Sequence, residues 1–477
     1  MNKLLSELST IGKNGYQLPP SDVPSFPPLP IRVRQENAPV LPSLGELEVV
    51  RHFTLLAADT FNVEQGMYPL GSCTMKYNPK VNEEIARNPL FTDIHPLQDS
   101  STTQGSLFVM NSLLKGLCSI VGMDDGTLQS AGGAQGEYIG LHLIKSYYRS
   151  RNEAHRNTVL IPSNAHGTNP ASASFCNMEV VEIPVNKRGQ VDVKALPLFL
   201  NENIAAIMLT NPNTLGLYED DIKEIANLVH ASGALLYYDG ANLNAIMNIV
   251  KPGEMGFDVM HVNVHKTFST PHGGGGPGAG PVLVKKILSP FLPFPRIIDK
   301  GESLEFSFEP LTSIGKTLGF WGNFLVLLRA FSYITYLGDE GLTHSAMMAV
   351  LNANYMKGRL KGTIPLSHTG NHLHEVVFSC KELKEKSGTT TLDIAKALID
   401  KGFHPPTIYF PLIVSEAMMI EPTETESLED LDAFVDALLE IVNEALLKET
   451  PFKESPHSKS VKRVDEVRAA RTPIVHW

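Results

Sequence analysis

Between Thr158 and Tyr238, short apolar runs alternate with segments of helical length, and few folds accommodate that order. The strand candidates are Thr158 to Pro162, Glu179 to Val185, Ile204 to Thr210 and Gly233 to Tyr238. Helices are predicted near Ala171, over Val193 to Leu200 and over Glu219 to Ala231. The Tyr238 run is apolar without period-two alternation, which suits a strand covered on both faces. The alternation as a whole argues for an α/β fold, a mainly parallel sheet with helices on both sides.

Open α/β sheets bind ligands beyond the carboxyl ends of their strands. Asp239 stands at such an end, and a second apolar segment closing at Val264 delivers His265 and Lys266 to the same rim. An acid and a lysine facing one crevice suit pyridoxal phosphate: the amine forms a Schiff base, and the carboxylate keeps the pyridine nitrogen protonated so that the ring can take up electrons. Taken singly, a lysine is a solvated charge and an aspartate after a strand is a cap or turn former. Lys266 differs in lying in a segment otherwise low in charge, beside His265 and close to Phe268, with the glycine run Gly273 to Gly276 and Gly278-Ala279-Gly280 following at once.

Other loops supply the remaining candidates. Thr127 to Tyr138 reads as a short strand, a glycine turn and a helix start, so the backbone of Ala134 and Gln135 is the candidate phosphate cradle. It has neither the P-loop nor the full dinucleotide-binding glycine pattern. After the strands come Ser163 to Pro170 and Thr210 to Thr214. Within them His166 is placed to lie over an aromatic cofactor, Thr210 and Asn213 to bond its edge, with Thr168 and Ala241 as further contacts. Each taken alone is more often a turn residue. The irregular, polar segment Tyr68 to Pro79 offers Ser72, Cys73 and Thr74 for the substrate side. Small, buried packing is the commoner role for a cysteine such as Cys73.

With 477 residues the chain exceeds one small core. Residues 1–45 read as a proline-rich arm, either a loose leader or a strap on a neighbouring subunit, and Glu46 to Phe61 as a helix. Residues 46–325 form the large domain, 326–450 a smaller α/β domain, and 451–477 a tail that is either solvated or packed on a neighbour. In the smaller domain the pattern is helix (Gly341 to Leu360), strand (His374 to Cys380), helix (Thr391 to Lys401), strand (Leu412 to Val414) and helix (Ser427 to Leu447), after a buried helix from Phe324 to Leu337. Ser101 with Gln104 reads as a capping box, Pro290 to Pro295 as a rigid connector, and Leu311 to Trp321 as a polar loop. A formal net charge of −11 argues against a nucleic-acid partner. Four scattered cysteines without a C-x-x-C pair argue against a disulfide framework or structural zinc and fit a reducing cytoplasm. No apolar run approaches the roughly 18 residues of a membrane span, and the amino terminus does not read as a signal peptide.

With these residues laid out, the chain resembles the glycine decarboxylase, or P-protein, of the glycine cleavage system, and more narrowly the catalytic second subunit of its two-subunit bacterial form. The resemblance rests on Tyr68-Pro69-Leu70-Gly71-Ser72-Cys73-Thr74-Met75-Lys76-Tyr77-Asn78-Pro79, Ser163 to Ser172, Thr210-Asn211-Pro212-Asn213-Thr214, Tyr238-Asp239-Gly240-Ala241-Asn242, His265-Lys266-Thr267-Phe268 with its glycine loop, and Asp465-Glu466-Val467-Arg468. It implies the pyridoxal phosphate aminotransferase-type fold (fold type I), with Lys266 as the Schiff-base lysine. It implies an oxidoreductase activity in which glycine is decarboxylated and its aminomethyl group passes to the lipoyl cofactor of the H-protein. It also implies a companion subunit 1 in a two-plus-two heterotetramer. His265 would then assist proton transfer or touch the phosphate. Three rival expectations stand beside it: another fold-type I enzyme such as a class V-type aminotransferase, a non-catalytic scaffold subunit, and a nucleotide-binding module, which the missing P-loop and dinucleotide patterns disfavour.

Overall fold

The computed structural model describes the chain except residues 1–2, 14, 16–18, 26, 28–29, 36, 38–39, 272–277, 310–311, 448–451 and 476–477. The glycine run Gly273 to Gly276, together with Gln17, Pro28, Pro39 and Leu311 of the segments read above, lies outside the described residues. Contacts divide the rest into two units, residues 1–65 with 457–477, and residues 66–456. In the first, the helix Glu46–Asp59 starts at Gly45, whose N–H is accepted by Glu48 at 2.9 Å, and none of its residues is buried.

The second unit is organised by a seven-stranded sheet. Its strands are β1 (Asp125–Thr127), β2 (Thr158–Pro162), β3 (Glu179–Ile183), β4 (Ile204–Thr210), β5 (Leu235–Gly240), β6 (Val259–Val262) and β7 (Val282–Val284). They lie in the order β1-β7-β6-β5-β4-β2-β3, with β7 antiparallel to both neighbours and β2 through β6 parallel. The unbroken apolar runs are buried throughout β2, β4, β5 and β6. Leu209, Tyr238 and Met260 pack on one side of the sheet, and Met208, Tyr237 and Val259 on the other.

That second side is covered by the helix Gly133–Ser150, whose glycines allow an unusually close approach. A Cβ at Gly140 would lie 2.4 Å from the Tyr237 ring, and one at Gly136 would lie 2.7 Å from the His261 Cβ. The helix start therefore rests directly on the carboxyl ends of β5 and β6.

A hairpin of β8 (Arg296–Asp299) and β9 (Leu304–Ser307) follows the proline-rich connector. The run Phe324–Leu360 is helical on both sides of Gly338, which sits at φ 62° and separates the two predicted helices. It packs with the helices Thr391–Asp400 and Leu428–Leu447 on an antiparallel sheet of β10 (Val376–Ser379), β11 (Thr407–Ile408) and β12 (Ala417–Ile420), ordered β10-β12-β11.

Three local expectations are corrected. Leu412 to Val414 is a turn, with Leu412 exposed, and the central strand is the fully buried Ala417–Ile420. Burial and pairing on both edges outweigh the poor strand propensity of Ala417 and its methionines. Val193 to Leu200 contains only a 3₁₀ turn, Leu196–Leu198, because Pro197 can neither donate nor sit inside a helix. Ser101 does not cap the next helix. Its N–H is held by Asp99 at 2.9 Å, the helix Gln104–Val121 starts after Thr103, and the Gln104 amide bonds the Leu304 backbone twice, at 2.9 Å each.

Candidate active site

Strand register sets the first group of side chains. Thr210, Asp239 and His261 are direct partners across β4, β5 and β6, so all three project to the face on which the helix Gly133–Ser150 lies. Asp239 is buried, and its Oδ1 accepts the Ala241 N–H at 3.0 Å while Oδ2 accepts the Asn169 amide at 2.9 Å. His261 Nε2 approaches Oδ1 at 3.2 Å, and its Nδ1 meets the Tyr237 hydroxyl at 2.9 Å.

Burial alone would raise the Asp239 pKa. The His261 imidazole, the Asn169 amide and the Ala241 N–H outweigh it and hold the carboxyl well below the usual range. A carboxylate has about four acceptor positions. Among the described residues three are filled, and one remains.

Glu137, one turn into the covering helix, closes the underside. Its Oε1 accepts the Thr168 hydroxyl at 2.8 Å, and burial followed by the Asp239 charge raises its pKa. The Thr168 hydroxyl also meets His166 Nδ1 at 2.9 Å, so Thr168 orients the His166 ring. His166 is within electrostatic reach of both Asp239 and Lys266, and burial lowers its pKa, leaving it neutral at pH 7.

Lys266 does not follow a strand directly. Asn263 ends the strand segment, and the single helical turn Val264–Thr267 carries His265 and Lys266. The turn packs on the glycine loop: His265 Nδ1 lies 3.2 Å from the Ala279 carbonyl, and a Cβ on Gly278 would meet the same ring at 2.8 Å. Lys266 Nζ donates to the Ser72 carbonyl at 2.8 Å.

The Tyr68 to Pro79 loop is pinned to the smaller sheet by a Leu70–Ile420 bridge and by the Thr407 hydroxyl on the Gly71 carbonyl at 2.7 Å. It therefore brings Ser72, Cys73 and Thr74 to the amine. Thr74 donates to Glu421, and the Ser72 N–H donates to Glu375 at 2.9 Å. Burial raises the Cys73 thiol, which the nearby Lys266 lowers in part.

The helix start at Ala134 and Gln135 sits against the same segment, since a Cβ on Gly133 would meet Asn263 Oδ1 at 2.6 Å. The Gln135 side chain is committed to the Ala131 N–H at 2.7 Å and the Thr317 carbonyl at 2.8 Å. What this turn offers an anion is its backbone N–H groups. Asn213 does not offer the edge contact expected of it. Its amide donates to the Gly189 carbonyl and to Glu219, both at 2.9 Å, and accepts from Leu215 and Leu217. It holds the loop after β4.

The arrangement fits a pyridine cofactor carrying an aldehyde and a phosphate. It presents a primary amine, an ionised carboxyl with one acceptor position left, an imidazole near both, and a helix start. Three buried hydroxyls, Thr210 Oγ1, Thr267 Oγ1 and Thr270 Oγ1, have no partner among the described residues. Orphaned hydroxyls are costly in a finished core and are natural at the edge of a bound ligand.

Sequence reasoning missed Asn169, Glu137 and His261 as site members, and with them Lys76, His374, Glu375 and Glu421. One signal was available: a titratable side chain inside or at the end of a fully apolar strand, as in Val259-Met260-His261-Val262 and Ala417 to Glu421.

Residues 345–461 match the model of the glycine dehydrogenase C-terminal domain, and residues 138–288 that of class-V aminotransferases. The chain is 54% identical over 482 residues to the probable glycine dehydrogenase (decarboxylating) subunit 2 of Caldanaerobacter subterraneus subsp. tengcongensis, covering 100% of this chain and 99% of that protein. It is 52% identical to the protein of the same description from Thermotoga maritima, covering 99% of each. Among solved structures it is similar to an inhibitor-bound glycine decarboxylase (P-protein) of the glycine cleavage system, with a TM-score of 0.73 and 20% identity over 87% of this chain and 93% of that one. At that identity the last likeness is one of fold.

Proposed function

Given that the chain belongs to the glycine dehydrogenase (decarboxylating) subunit 2 family, we propose that its rim of Lys266, Asp239 and His166 is where glycine loses CO2. The chain is an enzyme of fold type I, and its cofactor is pyridoxal phosphate. When bound, the cofactor supplies a ring that accepts the electron pair left behind as CO2 departs.

The protein's part can be read from its own atoms. Lys266 Nζ, which donates to the Ser72 carbonyl, would hold the aldehyde carbon and carry a proton there. Asp239 would stay anionic and offer its remaining acceptor position to the pyridine N–H. His166, neutral and fixed by Thr168, would lie against the ring. The N–H groups at Ala134 and Gln135 would hold the phosphate, and Thr210 would meet the ring edge. Ser72, Cys73 and Thr74 close the substrate side, where glycine, having no side chain to grip, is selected by exclusion.

The aminomethyl group then passes to the lipoyl disulfide of an H-protein. The subunit 2 description of the relatives supports a companion subunit 1, and a two-plus-two assembly belongs to the same proposal. Cytoplasmic residence is supported by four cysteines scattered without a C-x-x-C pair, a pattern that fits a reducing compartment. No described helix is long and apolar enough to cross a membrane.

The single observation that carries this reading is that the Asp239 carboxyl and the Lys266 amine both lie within electrostatic reach of the His166 imidazole. Labelled bicarbonate exchange tests it: the chain, assembled with its companion subunit and a lipoylated acceptor, should exchange label into glycine. Amino transfer to a keto acid without exchange would refute it.

A further inference from the structure

Glu375 precedes β10 and Glu421 follows β12, and the Val376–Ile420 pairing sets the two carboxyls side by side. One oxygen of each and a ring nitrogen of His374 lie within 4.8 Å of one another, and all three side chains are buried. Glu375 is held by the Ser72 N–H at 2.9 Å and the Asn242 amide at 3.1 Å. Glu421 Oε1 accepts the Thr74 hydroxyl, whereas Oε2 has no partner among the described residues. Neither His374 nitrogen has a hydrogen-bond partner among the described residues, and Nε2 stands 3.9 Å from Glu421 Oε1. An imidazole with two idle nitrogens beside a half-idle carboxyl is not a packing solution, because each orphaned buried group costs about 1–3 kcal/mol. It is a polar lining that awaits a ligand.

The charges that face this lining come from three elements. Lys266 reaches it from the helical turn, Cys73 from the Tyr68 to Pro79 loop, and Glu424 from beyond β12. Glu424 is already paired with Lys76 at 2.6 Å. Two buried carboxyls thus face one ammonium, and ionising both leaves an uncompensated buried charge.

We propose that Glu375 and Glu421 retain one proton between them and that this proton is given to the sulfur released when the acceptor's disulfide opens. The inference rests on the reading under Proposed function. In that step the carbon that has lost CO2 bonds to one sulfur, the S–S bond breaks, and its electron pair goes to the second sulfur, which takes the proton. The disulfide is reduced by two electrons and the glycine carbon is oxidised by two. The carboxyl pair is reprotonated by the ammonium proton that glycine brings and the product nitrogen does not keep.

The environment agrees. Burial pushes Glu375 up to about 7, and burial with the Glu375 charge raises Glu421 well above the usual range, Lys266 drawing both back. Burial and Lys266 push His374 down to about 3, so it is neutral at the working pH.

Two readouts test the inference on the assembled protein. Without cofactor, infrared difference spectra between about pH 6 and about pH 9 should show a carboxylic-acid carbonyl band that vanishes on the alkaline side. The band should be absent in Glu375→Gln and in Glu421→Gln. With cofactor and glycine, opening of lipoamide, followed by thiol titration, should fall about 100-fold or more in Glu421→Gln. The spectral change on glycine binding should persist, and Glu421→Asp should recover part of the rate. Absence of the band in the wild type overturns the shared proton whatever the activity. Presence of the band with full lipoamide opening in both glutamine variants overturns the donor role. A wild type that shows the band yet releases no CO2 from glycine overturns the sulfur step together with the functional reading. Should either variant fail to fold, the wild-type rate must lose its alkaline limb at the pH where the band disappears, and a mismatch overturns the inference.

Discussion

The Lys266 amine donates to the Ser72 carbonyl at 2.8 Å while the N–H of the same residue donates to Glu375 at 2.9 Å. One residue thus links the rim of the large sheet to the smaller one. Ser72 does so at φ 66°, in the left-handed region that a serine rarely occupies. Such a conformation persists only where its surroundings over-determine it. Lys266→Ala should abolish glycine-dependent exchange of labelled CO2, and borohydride should no longer fix the cofactor to the corresponding peptide. Retained exchange in this variant would remove Lys266 from the chemistry.

Asp239→Asn keeps the shape of the side chain and removes the charge that His261 faces. Decarboxylation should fall on the order of 100-fold, as when one preorganised electrostatic partner is deleted. The variant also makes a pH prediction. The folded carboxyl titrates below its unfolded value, so its contribution to stability is fully present above the ordinary carboxylate range near pH 4 and is lost as pH falls through the folded value. The stability gap between wild type and variant, read from urea midpoints, should therefore be wide at about pH 7 and narrow towards about pH 3. A gap independent of pH would mean that Asp239 is not ionised in the fold.

Much of this was legible because buried parallel strands leave plain marks. Thr158 to Pro162 and Ile204 to Thr210 were read from their apolar runs, and the structure keeps those bounds. Asp239 and Lys266 stood out as charges beside such runs. What could not be read is lateral. Nothing local says that Asp239 and His261 are register partners, that glycines at 136 and 140 let a helix settle on them, or that Glu375 and Glu421 meet across an antiparallel pair. Asn213 was misread because a turn amide looks the same whether it serves its own loop or a ligand. The Leu412 to Val414 error has a related cause, as apolar residues favoured in strands read like one until tertiary burial decides otherwise.

Thr210→Val separates ligand contact from packing. The hydroxyl is buried without a partner among the described residues, so the nearly isosteric valine removes an orphaned group. The cofactor-free chain should be as stable as wild type or more stable, by up to about 1 kcal/mol. If Thr210 reaches the ring edge, cofactor affinity should nonetheless weaken by about fivefold to tenfold, as measured by equilibrium titration of the apoprotein. Unchanged affinity would leave the orphaned hydroxyl unexplained and take Thr210 out of the site.

Lys76 is the residue whose removal should do most damage away from the rim. It is buried, pairs with Glu424 at 2.6 Å, and donates to Asn244 at 2.8 Å, the Thr267 carbonyl at 2.9 Å and the Tyr333 hydroxyl at 3.1 Å. Burial works against its charge, but Glu424 and Tyr333 reverse that and raise its pKa. Lys76→Met leaves Glu424 as a buried anion without its partner and should cost about 3–5 kcal/mol, read from urea unfolding. Adding Glu424→Gln should restore most of that loss, because the penalty lies in the stranded charge and not in the missing attraction. The double variant should still be slower than wild type, since Thr267 adjoins Lys266 and its carbonyl has lost the ammonium that fixed the turn. Simple additivity of the two substitutions would show that the pair is not coupled, and full activity in the double variant would show that Lys76 does not position Lys266.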